Sequence, residues 1–138
     1  MSTLRVTDIE SNGTGFNDVV SFKNASGTEN GTLCRAWVNF DGTFGTSPFT
    51  EANSGIRGAF NVSSVTDNGV GDYIINFTND LPDGNYASTL SYTGEETVQH
   101  TIGFIVYQFS DRMRVLHYNA ANSTNRIDKS IVCVAFFR

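Results

Sequence analysis

The feature that most constrains this chain is the spacing of its turns. Clusters rich in Gly, Asn and Asp fall at residues 11–15, 66–72 and 79–85, and the runs between turns alternate apolar with polar side chains. Alternation with period two marks a strand with one buried face. Ser, Thr, Asn and Gly together supply about 40% of the chain, a poor composition for helices, and no stretch shows helical periodicity of useful length. An all-helical fold is excluded. The expectation is an all-β protein, an antiparallel β-sandwich or jelly-roll-like head with a short N-terminal arm.

A core is available to close it. Hydrophobic residues make up 39% of 138 residues and aromatics 12%, with Phe the commonest aromatic at 11, which fits one domain of ordinary size. The formal net charge is −5, the wrong sign for gripping a phosphate backbone, so nucleic acid is not an expected partner. The longest apolar run, Ile131–Phe137, falls far short of the roughly 20 residues of a membrane helix. No membrane insertion is expected. Residues 1–10 lack a segment of signal-peptide character, which predicts a protein made and kept in a cytoplasm unless it leaves by another route.

Residues 1–33 hold one or two short strands among polar residues and read as an arm for attachment or trimerisation; residues 34–138 read as the head. In the head, strands are predicted over Cys34–Phe40, 60–65, 73–77, 86–92, 98–109, 112–118 and Ile131–Phe137, with a Gly-rich loop over 41–57 and a hairpin over 66–72. The 98–109 run is apolar on both faces. Such a strand is expected to be covered on both sides, by a second sheet or another subunit.

The residues name no reaction. Asp80 with Asp83 and Glu95 with Glu96 are the acid pairs a glycoside hydrolase would need, yet both sit in turns and read as solvated acids. Residues 80–84 lack the alternating oxygen ligands of a calcium loop. His100 and His117 fall in strands, no Ser or Cys has a nucleophile-elbow context, and the glycines at 13, 15, 42, 45, 69 and 71 open no helix. Cys34 and Cys133 have no ligand-spaced companions and read as buried free thiols in a reducing compartment, with a disulfide between them as the alternative. No enzyme activity, cofactor or metal is expected. Six aromatics are candidates to stack on a sugar or a protein partner, Trp37, Phe44, Phe49 and Tyr86 foremost, with Tyr92 and Tyr107 beside them. Trp37 lies opposite the Cys34/Ala36/Val38 face, outside the first core, where packing under the Gly-rich loop or between subunits is the alternative.

Two segments must be read together: CRAWVNFDGT, residues 34–43, and IRGAFNVSSVTDNGVGDYIINFTNDLPDGNYA, residues 56–87. They resemble the C-terminal domain of tail-fibre and related virion proteins of tailed bacteriophages, of the type infecting marine bacteria and cyanobacteria. In that family a Cys-Arg-Ala-Trp-Val-Asn-Phe strand precedes a Gly-rich loop, an Arg-x-x-Phe-Asn-Val-Ser-Ser strand and an Asp-Asn-Gly hairpin. The closing VCVAFFR and the opening MSTLRV are also similar to the ends of such proteins, and the likeness covers about 100 of the 138 residues. The resemblance implies a virion location and a homotrimer. Its implied function is a non-enzymatic short tail fibre or tip with a receptor-binding head, in contact with other tail or capsid proteins and with a host glycan or protein. A capsid decoration or cement protein is the alternative.

Overall fold

The structure, a computed structural model, describes residues 22–23, 26–27, 29–31, 33–93, 101–119 and 125–138. The chain divides into two compact units, Met1–Leu33 and Cys34–Arg138. In the first, β1 (Phe22–Lys23) and β2 (Glu29–Gly31) form a small antiparallel hairpin. The apolar run at 19–22 lies mostly outside the described residues.

The second unit is all-β, with no helix among the described residues. Its strands are β3 (Cys34–Phe40), β4 (Ile56–Phe60), β5 (Val62–Asp67), β6 (Asp72–Phe77), β7 (Ala87–Thr93), β8 (Thr101–Gln108), β9 (Arg112–Asn119) and β10 (Ile131–Phe137). They build two four-stranded antiparallel sheets, ordered β4-β3-β10-β7 and β5-β6-β9-β8, the layers of a β-sandwich.

Alternation decides what faces inward. Ala36, Val38 and Phe40 of β3 are buried beside Val132, Val134 and Phe136 of β10, while Tyr73 and Ile75 of β6 and Met113 and Val115 of β9 are buried from the other sheet. Aromatic contacts join the layers: Phe40 meets Tyr73 edge-on at 5.1 Å between ring centroids, and Phe77 meets Phe136 at 4.9 Å. Such pairs add to the area they remove from water. At the edge of the sandwich Gly103 of β8 comes so close to Leu90 of β7 that a Cβ at that position would overlap the leucine side chain.

The hairpin at 66–72 forms as its residues predict. Gly69 and Gly71 take φ of 118° and 62°, Asn68 N–H donates to Asp72 O at 2.9 Å, and Asp67 Oδ1 accepts from Gly69 N–H at 2.7 Å.

One strand differs. The single run expected over 60–65 is preceded by a separate strand, β4, taken from the end of the Gly-rich loop, and the two belong to different sheets. The corner is Asn61, at φ 54°, a left-handed conformation that Asn tolerates better than most residues. Its side chain fixes the bend: Nδ2 donates to Arg35 O and Asn79 O at 3.3 and 3.0 Å, and Oδ1 accepts from Asn79 N–H at 2.8 Å. A polar residue that satisfies three backbone groups stabilises a turn that propensity alone would read as strand.

Candidate functional site

The outer face of the β4-β3-β10-β7 sheet carries the residue that sequence patterning left outside the core. Trp37 is 41% exposed and stands opposite Phe60 of β4 in the ladder. Beside it runs a shallow groove of about 290 Å³, lined by Trp37 and Asn39 of β3, Cys133 and Ala135 of β10, and Thr89 and Ser91 of β7. Short side chains on the two neighbouring strands create the groove, and the indole walls it. No charged side chain lines it. Its chemistry suits a neutral surface, apolar on one side and hydroxyl-bearing on the other.

The other proposed contact aromatics lie elsewhere. Phe44 is half-buried, edge-on to Phe49 at 5.7 Å. Phe49 is fully buried, a correction to its reading as a contact residue: its backbone bridges Val65 and turns the ring onto Phe40 and Tyr73. Tyr86 is also a core residue, with its ring against Phe77 and Phe136 and its hydroxyl donating toward the carbonyls of Phe109 and Arg112. Burial raises the pKa of that hydroxyl. Tyr92 is half-buried and faces His117 at 5.3 Å, and Tyr107 stacks on Phe109 at 4.9 Å.

Strand β8, apolar on both faces, is only partly covered by the described residues of its own chain. It forms the end of its sheet, and Ile102, Phe104, Ile105, Val106 and the following Phe109 are each 41–49% exposed. The second sheet covers only part of it.

The polar groups form supports for the fold. Asp72 is buried and takes two hydrogen bonds from Arg114, at 2.8 and 2.7 Å, and one from Arg126 at 2.7 Å. The Arg114 hydrogen bonds hold its carboxyl below the usual carboxylate range. Asp128 accepts from Gly71 N–H at 2.6 Å and from the Tyr73 hydroxyl, which ties the 125–130 connection to the start of β6. His117 is fully buried between the rings of Tyr73 and Tyr92, and neither ring nitrogen has a hydrogen-bond partner among the described residues. Burial lowers its pKa from 6.5 to about 4.

Of the acids weighed for hydrolysis, Asp83 pairs with Arg138 at 2.7 Å, whereas Glu95, Glu96 and His100 lie outside the described residues. Among the described residues no group of three or more His, Cys, Asp or Glu side chains is placed to hold a metal.

The thiols are free but half-buried, not buried as expected. Cys34 is the first residue of β3 and Cys133 stands on the outward face of β10, where the strand end and strand alternation respectively leave each partly exposed. Cys34 lies opposite Phe137 and Cys133 opposite Asn39, a stagger of four residues along β10. At ~3.3 Å of rise per residue the gap is beyond the reach of a disulfide. The double variant Cys34→Ser/Cys133→Ser should therefore fold with a stability within about 1 kcal/mol of the parent. Urea denaturation measures that difference. Mass spectrometry of unreduced protein after thiol blocking should find both cysteines capped, and a linked Cys34–Cys133 peptide would contradict the observed register.

No protein-family profile matches the chain, and comparisons with curated proteins and with solved structures find no significant similarity.

Proposed function

We propose that this protein is a non-enzymatic structural component of a tailed-phage virion, a short trimeric fibre or tip whose sandwich head faces the host surface. One observation carries the reading. The segments that resemble the phage module are β3, the run from β4 through β6, and β10, and β3 pairs directly with β10 at the centre of one sheet. The likeness thus falls on a connected body of the head, where residues must agree with one another in packing, and not on scattered loops. The neutral groove beside Trp37 offers that head a surface for a glycan or protein of the host.

Attachment then belongs to the N-terminal unit. Deleting residues 2–32 should leave a soluble, β-rich head that unfolds cooperatively, because the buried hydrophobic residues among the described ones all follow Cys34. Its incorporation into purified virions should fall at least tenfold, read by quantitative mass spectrometry of particles. If the truncated head aggregates, the arm supplies part of the sandwich. If it still joins particles at the normal level, the attachment surface lies on the head, as in a capsid decoration protein.

A further inference from the structure

Residues 125–130, between β9 and β10 in the chain, run past the start of β6 and the end of β3 and are fastened there by polar bonds. Ile127 N–H donates to His117 O at 3.1 Å, and Gly42 N–H donates to Lys129 O at 2.9 Å. Asp128 adds its bonds from Gly71 N–H and the Tyr73 hydroxyl, and Arg126 the one to Asp72. Two glycines let the segment lie this close: a Cβ on Gly42 would stand 2.8 Å from Lys129 O, and one on Gly71 2.9 Å from the Ile127 backbone. Its apolar contribution is slight, since Ile127 is only half-buried. A strap held by hydrogen bonds, with little apolar surface removed from water, opens more readily than the sheets it lies on.

Beneath this strap sits His117, fully buried, with neither ring nitrogen hydrogen-bonded among the described residues. The groups that face it are the rings of Tyr73 on β6 and Tyr92 on β7, and Asp128 and Lys129 of the strap itself. In the closed position Lys129 opposes a second positive charge, and Asp128 already accepts from Gly71 and Tyr73. An imidazolium there would be buried without an anion of its own. Opening the strap reverses the balance, because water then reaches the ring and solvates the cation. Acid therefore favours the open arrangement.

We propose that residues 125–130 are an acid-released strap, lifted from Gly42 and Gly71 when His117 takes up a proton while the two sheets stay paired. The inference concerns the fold of the head and does not rest on its place in a virion. Release uncovers the start of β6 and the end of β3, which are closed at neutral pH.

The test is residue-resolved hydrogen exchange on the full chain at pH 7.5 and pH 4.5, with the intrinsic exchange rates divided out. The amides of Gly42, Gly71 and Ile127, which bond to or beneath the strap, should be roughly tenfold or more less protected than those in the middle of β3 and β10. Their protection should fall about 70-fold between the two pH values, the factor that follows from a pKa of about 4 with the ring covered and 6.5 with it in water. His117→Phe keeps a ring in place and should hold their protection constant across the range. Strap amides as protected as those of β3 and β10 at each pH would mean that the segment opens only with the whole sandwich, and would overturn the proposal. Protection in the parent that does not change with pH, or a fall that persists in His117→Phe, would overturn it as well. Should the variant fail to fold, the two comparisons within the parent still decide.

Discussion

Replacing Asp72 with alanine is expected to destabilise the sandwich by about 3 kcal/mol, a large part of the stability of a domain this size. The carboxylate is buried at the start of β6 and joins three parts of the chain: its own strand, Arg114 on β9 and Arg126 in the connection to β10. Without it, two guanidinium groups face each other with no anion between them. Because both arginines keep about a third of their side-chain surface in water, the penalty stays near the lower end for a broken buried pair. Urea denaturation at neutral pH measures it, and a loss below about 1 kcal/mol would show that solvent satisfies the arginines. The carboxyl's pKa is depressed in the folded state, so its contribution is complete above its ordinary value and disappears as pH falls through the folded one.

A second large effect is expected at milder acidity, from His117. Its pKa is about 4 in the folded protein against 6.5 when free, because burial between two aromatic rings disfavours the cation; Asp128 opposes the shift and Lys129 adds to it. The unfolded chain therefore binds a proton between these values that the folded one does not. Stability should fall as pH drops from 6.5 to 4, by about 3 kcal/mol in total, and this contribution should stay constant above and below that window. His117→Phe removes the proton and two unsatisfied nitrogens while keeping a ring of similar shape. The variant should match or exceed the parent at pH 8 and lose the slope between pH 6.5 and 4. Unfolding midpoints measured across that range check both statements, and an unchanged slope in the variant would place the acid sensitivity elsewhere.

Much of this architecture is legible in the sequence, and what is not has a common cause. β3 and β10 can be read because alternation is local, and the 66–72 hairpin because Asn-Gly chemistry is local. The corner at Asn61 is hidden, since what bends the chain there is a set of hydrogen bonds to Arg35 and Asn79, 26 and 18 residues away. Asp72, Arg114 and Arg126 are each ordinary surface residues by type and form a buried cluster only when the sheet brings them together.

The contact residues illustrate the same limit. Simple parity places Trp37 outward, and it is 41% exposed. Phe49 and Tyr86 stand in loop and turn sequence, where parity gives no direction, and both rings turn into the core. For β8 the pattern reported apolar residues on both faces but not its position in the sheet. Only the strand order shows that it is an edge.

The central claim is that this chain is a virion structural protein, and imaging of purified particles tests it most directly. Cryo-electron microscopy of phage bearing an epitope tag at Arg138, decorated with a Fab, should place threefold clusters of label on the tail or its tip. Label on the capsid shell would select the decoration role, and particles complete and infectious with no label and no trace of the chain would contradict the account.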